Sequence, residues 1–228
     1  MTHILDRPAW NALATVHSAS AEGTPLARRY APSIVPFAAM KDDTPQSIAA
    51  MTSLPLPGES MALVEAKPIP ELPGFETVID ATLVQMLAEK PFERIEDPRI
   101  EKLGERDAEE MLALATLTKP GPFTLKAQSL GTFWGIRMNG RLVAMGGQRM
   151  RQPGYAEVSG LCVHPDMQGK GLGKLMLRFV AGEISAGGET VYLHAYKHNE
   201  GAVGLYRSLG FAIRSDMNFR VVKRTETA

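Results

Sequence analysis

The chain has 228 residues, 25 Lys+Arg against 25 Asp+Glu, and 44% hydrophobic residues, enough for a buried core and too many for wholesale disorder. Zero formal net charge removes the broad electrostatic argument for nucleic acid or an anionic membrane as partner. A single cysteine, Cys162, excludes an intramolecular disulfide framework and suits a reducing cytoplasm.

Residues 1–17 hold no basic region ahead of a long apolar run, and no stretch approaches about 18 uninterrupted apolar residues. A cytoplasmic protein with no signal peptide and no transmembrane helix is expected. The first half carries most of the prolines, with 12 of 16 in residues 1–98, and only 3 of the 21 glycines. It is acidic, at net −6, whereas residues 99–228 balance it at net +6. Opposite punctuation and charge suggest two segments, 1–96 and 97–228, of which the cationic, Gly-rich one is the better host for a phosphate-bearing ligand.

In the first segment Asp6 reads as the cap of a helix over 8–16, with Pro8 in the tolerated first turn. Residues 34–38 form a short strand that Pro36 demotes to an edge. Residues 45–51 give a turn or two of helix, and 60–65 a strand. The proline-rich run 67–74 is extended. Residues 75–89 fit neither helical nor strand period cleanly.

From Arg99 onward the pattern is clearer. Residues 100–103 read as a strand, and Asp107 as the cap of an apolar-striped helix that Pro120 ends. Residues 132–145 form a hairpin about the two-residue turn Asn139-Gly140. A strand over 157–163, an amphipathic helix from Leu172, a strand over 191–196, a short helix over 201–209 closed by Gly210, and one or two final strands complete a mixed α/β domain.

Between the 157–163 strand and its helix lies Gln168-Gly169-Lys170-Gly171-Leu172-Gly173-Lys174. Alternating glycines let successive backbone N–H groups point at one ligand, and the following helix adds its free donors and positive dipole end. Phosphate is the natural guest. An NTPase-type loop would need Ser or Thr after Gly173-Lys174, where Leu175 stands, and a dinucleotide fingerprint would need G-x-G-x-x-G rather than G-x-G-x-G. A merely flexible turn is the plain alternative.

Residues 160–173 closely resemble the coenzyme A signature of the GNAT superfamily of N-acetyltransferases, Arg/Gln-x-x-Gly-x-Gly/Ala, with Gln168, Gly171 and Gly173 at its defining positions. Asn199, Ala202, Leu205-Tyr206 and Leu209-Gly210-Phe211 resemble a second element of that superfamily, in the expected order. The resemblance covers 97–228 and implies a mostly antiparallel sheet flanked by helices. Residues 156–159 and the long N-terminal segment look most like the glycine N-acyltransferase-like group, which implies that 1–96 is a degenerate copy of the same fold.

What the resemblance implies for single residues is specific. The backbone of Gln168, Gly169, Lys170, Gly171, Leu172, Gly173 and Lys174 would hold the pyrophosphate, with Lys170 and Lys174 adding charge or standing as solvated lysines. Leu161, Cys162 and Val163 would lie along the pantetheine arm, and Asn199 and Ala202 would border it. Tyr206 would protonate the departing thiolate, unless it is a core tyrosine packed on Phe211. Glu157 would be the general base, the alternative being a solvated strand end. Ser159 shares the face of Glu157 and would orient substrate. Cys162 reads as a small buried residue rather than a nucleophile. The scattered histidines give no metal-ligand spacing, so no metal is expected.

The function so implied is transfer of an acetyl or other short acyl group from acetyl-CoA to a primary amine, most simply of a small molecule, by a monomer or homodimer. The alternatives are a non-catalytic acyl-CoA sensor and an acetyltransferase of protein N-termini or lysines.

Overall fold

The computed structural model describes residues 3–226. Helix α1 (Pro8–Ala14) leads into a small antiparallel sheet of β1 (Ala21–Gly23), β2 (Ala27–Tyr30) and β3 (Ala38–Met40), followed by α2 (Pro45–Thr52). Then come β4 (Ser60–Glu65), β5 (Phe75–Ala88), β6 (Ile100–Leu103), α3 (Ala108–Thr118), β7 (Phe133–Met138), β8 (Arg141–Gln152) and β9 (Tyr155–Val163). The chain ends with α4 (Leu172–Ala186), β10 (Thr190–Tyr196), α5 (Glu200–Ser208) and β11 (Phe211–Arg224).

Strands β4 to β11 form one sheet in the order β4-β11-β5-β10-β9-β8-β7-β6. Every neighbouring pair in it is antiparallel except β9 and β10. Helix α4 fills one face with Leu172, Met176, Leu177, Val180 and Ile184 against Ala156, Val158, Val191 and Leu193. The other face is covered by α1, through Ala9 and Leu13, with Leu5 from the turn before it, beside Tyr192 and Phe219, and by α3, through Met111 and Leu114 beside Met145 and Cys162. No helix is long and apolar enough to cross a membrane among the described residues.

The division at residue 96 is corrected by this topology. β5 runs between β10 and β11, and β4 extends the same sheet, so the first segment gives its two longest strands to the second and does not close a sheet of its own around them. β5 also explains its own mixed pattern. Residues 83–88 lie between β10 and β11 and are largely buried on both faces, whereas 75–82 pair with β11 alone and are largely exposed. A strand with two environments shows no single period.

Three local expectations also change. Asp6 does not cap α1: its carboxylate accepts from His3 N–H and pairs with Arg214. Asp107 stands at the N-cap of α3 as expected, but its carboxylate accepts from Gly104 N–H and pairs with Arg137 instead of bonding the first-turn amides. The strand at 34–38 begins only at Ala38, with Phe37 in a single parallel bridge to Ala62. The hairpin turn forms as expected, Asn139 and Gly140 both taking positive φ, 52° and 79°.

Candidate active site

β9 and β10 pair only through Thr190–Tyr155, Val191–Ala156 and Tyr192–Glu157, and then part. On its other side β9 bulges: Met145 faces Cys162 and Gly147 faces Ser159, leaving an extra residue near Gly160. Gly160 sits at φ 62°, and a Cβ there would meet Phe133 at 2.8 Å, so glycine is required twice over. His164 N–H donates to Val143 on β8, and alternation along the strand therefore turns the Leu161 and Val163 amides away from β8, toward the gap β10 has left. An unpaired strand edge inside a domain needs partners.

That gap is a cavity of about 330 Å³. One end is lined by Leu161, Cys162, Val163, Gln168, Asn199, Ala202 and Tyr206, the other by Phe37, Leu83, Arg149, His194, Tyr196 and Phe219. Glu157, Ser159 and Gly160 line a small adjoining cavity of about 50 Å³, with Arg149, His194 and Tyr206 common to both. Ser159 and Glu157 both line it, together with Val158 between them.

At the cavity mouth Gln168 is extended, Gly169 and Gly171 take φ of 74° and 77°, and Gly171 starts α4. This is a backbone concavity of N–H groups opening on a helix N-terminus, the geometry that takes an anion. Gly173 is different: it lies inside the first turn of α4, where a Cβ would make only an ordinary 3.6 Å contact with Val163. Leu172 is buried in the core against the sheet, so only its backbone is available to a ligand. Lys174 lines a separate open cleft beside Arg178, Lys90 and Phe92, away from the cavity. Asn199 caps α5 through Oδ1, accepting from Ala202 N–H at 3.1 Å.

Tyr206 packs edge-on against Phe211, with ring centroids 6.2 Å apart, so the core contact is real. The residue nonetheless lines both cavities, and its hydroxyl has no hydrogen-bond partner among the described residues. Burial pushes its pKa up, which keeps the proton on the oxygen. Burial likewise pushes the Cys162 thiol up to about 11, against a hydrogen bond with Thr118, so the thiolate is scarce at neutral pH and a nucleophilic role gains no support.

Glu157 is the main correction. It is 1% exposed, and both oxygens are occupied: Oε1 accepts from Arg149 Nη2 at 2.8 Å and His194 Nδ1 at 2.7 Å, Oε2 from Arg149 Nε at 2.9 Å and Met150 N–H at 3.3 Å. Burial alone would raise its pKa, but Arg149 and His194 outweigh that and hold it down at about 2. Such a carboxylate is a weak base with no free lone pair aimed at substrate. The solvated strand end is excluded as well; Glu157 is the buried anchor of two other side chains.

Sequence reasoning missed Arg149, Phe37 and Gln85. Arg149 lies past the end assigned to the hairpin, where β8 continues to Gln152. The available signal was Glu157 itself, since a charge in a strand interior calls for a partner. Phe37 lies under the Arg149 guanidinium, 4.7 Å from ring centroid to Cζ. Gln85 on β5 faces His194 Nε2 at 3.0 Å.

Comparison with known proteins agrees with this geometry. The family model described as the acetyltransferase (GNAT) family matches residues 91–211. The crystal structure of a GNAT-family protein from Novosphingobium aromaticivorans DSM 12444 is similar over 98% of this chain and 100% of that one, at 40% identity and a TM-score of 0.92. A GCN5-related N-acetyltransferase from Kribbella flavida shares the fold over 95% of each chain, at 17% identity and a TM-score of 0.60. No curated protein sequence matches the chain.

Proposed function

Because the chain belongs to the acetyltransferase (GNAT) family, we infer that it moves an acetyl or other short acyl group from coenzyme A to a primary amine of a small molecule, by direct attack on the thioester. The observation that carries this reading is the parting of β9 and β10, which leaves the Leu161 and Val163 amides facing a cavity that Tyr206 also lines. Acetyl-CoA supplies an activated acyl group on a thiol leaving group.

The residues divide the work. The loop from Gln168 to Gly171 and the first turn of α4 receive the pyrophosphate, through backbone donors and the helix dipole. The Val163 amide and Asn199 border the pantetheine arm, which needs amide partners. The Leu161 N–H, just beyond the bulge, stabilises the negative charge that develops on the carbonyl oxygen. Tyr206, neutral at working pH, gives its proton to the leaving sulfur, and the proton that the amine nitrogen loses passes through solvent to restore the Tyr206 hydroxyl. Glu157 takes no proton directly; it fixes the Arg149 and His194 side chains that border the acceptor end.

The test is release of free thiol from acetyl-CoA in the presence of amines, with Tyr206→Phe beside the parent. Thiols leave fairly well unaided, with a pKa of about 8.5, so turnover should fall by about one to two decades and no more. Acetyl-CoA affinity and melting temperature should stay near the parent, because the ring contact with Phe211 is kept. Calorimetric binding of acetyl-CoA with no thiol release from any amine would make the protein a sensor.

A further inference from the structure

The acceptor end of the cavity has a charge pattern that a polycationic amine does not fit. Of the side chains lining the cavity, Lys119 and Arg149 are cationic and none is Asp or Glu. The one carboxylate nearby, Glu157, is in the adjoining cavity and already carries four hydrogen bonds. A polyamine or aminoglycoside would meet cationic side chains and no free carboxylate.

Arg149 is only half used. A guanidinium has five N–H donors, and Glu157 takes the Nε and Nη2 side. Nη1 has no hydrogen-bond partner among the described residues, while the side chain borders both cavities. The edge left open, Nη1 with the remaining Nη2 hydrogen, suits a carboxylate bound end-on. Stacking on Phe37 and the bidentate bond to Glu157 fix the plane of that edge in advance. Around it the wall is apolar and aromatic: Phe37, Leu83, Tyr196 and Phe219. A volume of about 330 Å³, shared with the pantetheine tip, is at the small end for ligand sites.

We propose that the acceptor is a small amine bearing both a carboxylate and an apolar side chain, an apolar α-amino acid, whose carboxylate is held by the open edge of Arg149. This rests on the transfer reading above and names its substrate class. The carboxylate takes the Arg149 donors that Glu157 leaves unbonded, the side chain fills the aromatic wall, and the amine is left toward the Leu161–Tyr206 side. Glycine, with no side chain, leaves that wall unfilled.

The experiment measures kcat/KM for thiol release from acetyl-CoA with L-phenylalanine, L-leucine, glycine, L-phenylalaninamide, 2-phenylethylamine and spermidine. Phenylalanine or leucine should exceed the amide and the decarboxylated amine by at least about tenfold, mostly through KM, the scale of a charge-assisted hydrogen bond. Either should exceed glycine by about tenfold or more, from burial of the side chain. Arg149→Lys keeps a charge for Glu157 but loses the planar edge, so the preference for acid over amide should collapse toward one. The proposal is overturned if the amide or amine equals the acid, if spermidine or glycine is preferred, or if Arg149→Lys turns over acceptors with the preference unchanged. No thiol release from any amine would instead refute the transfer reading itself, a result distinct from turnover of the wrong amine.

Discussion

Glu157→Gln is the substitution whose outcome separates a buried anchor from a free catalytic base. Two carboxylate oxygens accept from four donors: Arg149 Nε and Nη2, Met150 N–H and His194 Nδ1. Glutamine keeps the volume but offers one acceptor oxygen, and its amide nitrogen faces another donor whichever way it is turned. The Arg149 charge is left buried without a counter-ion. Breaking one partner of such a pair costs about 3–5 kcal/mol. For a chain of 228 residues that is a drop in melting temperature of roughly 6–20 °C, at about 2–4 °C per kcal/mol. Thermal and urea denaturation of Glu157→Gln, Arg149→Met and the double variant close a double-mutant cycle, with a coupling of at least about 2 kcal/mol expected. The pH dependence has a defined sign. The folded pKa, about 2, lies below the ordinary 4.5, so this stabilisation is full above pH 4.5 and is lost as pH falls toward 2. The variant should therefore lose its disadvantage across that window. A variant that melts within 2 °C of the parent at neutral pH, with no coupling to Arg149, would refute the anchor role and return Glu157 to candidacy as a base.

Gly171→Glu should lower acetyl-CoA affinity by at least about a hundredfold, by bulk and charge in the phosphate loop, while the fold survives. A Cβ there meets nothing within 4 Å, and the positive φ of 77° costs only about 1–2 kcal/mol; parent-like affinity by calorimetry would remove the loop from the site. Glu65→Gln should stabilise the protein increasingly as pH rises. Burial, partly opposed by Arg7, pushes Glu65 up to about 8, so its favourable contribution is full below 4.5 and is lost as pH climbs through 8; a melting-temperature gain no larger at pH 9 than at pH 5.5 would contradict this.

Most of the C-terminal half was legible because its signals are local. Asn139-Gly140 forces a hairpin turn, the apolar stripe from Leu172 marks α4, and Gly169 and Gly171 mark the phosphate loop by conformations that other residues adopt at a cost. The acceptor end was illegible because it is assembled across the chain. Phe37 precedes β3, Leu83 and Gln85 lie on β5, Arg149 on β8 and His194 on β10, and no spacing within a window joins them. The error over residue 96 has the same origin. Proline and charge separate the two segments in composition, but strand pairing is long-range, and β5 enters the middle of a sheet built mostly from later strands.

That insertion has a chemical consequence at the site. The Gln85 amide nitrogen donates to Leu5 carbonyl at 3.0 Å and faces His194 Nε2 at 3.0 Å; an amide nitrogen can only donate, so Nε2 accepts and Nδ1 carries the proton directed at Glu157. The Gln85 orientation is set in turn by Arg214, which donates to Oε1 and pairs with Asp6 at 2.8 Å. Arg214 is the extra residue where the β5–β11 register shifts between Ile213 and Ser215; the irregularity brings a charged side chain to bear on a buried amide. The chain of contacts from Asp6 to Glu157 thus fixes one tautomer of His194 and, through Glu157, the plane of Arg149. A cleft shaped only by residues 97–228 would contain the phosphate loop, Leu161, Tyr206 and the Glu157 contact to His194 Nδ1, but no partner for His194 Nε2 and no Phe37 and Leu83 wall. On the proposed transfer reading the N-terminal segment contributes to the acceptor half of the site, and selectivity for the amine should therefore respond to substitutions in residues 1–96 that leave acetyl-CoA binding unchanged.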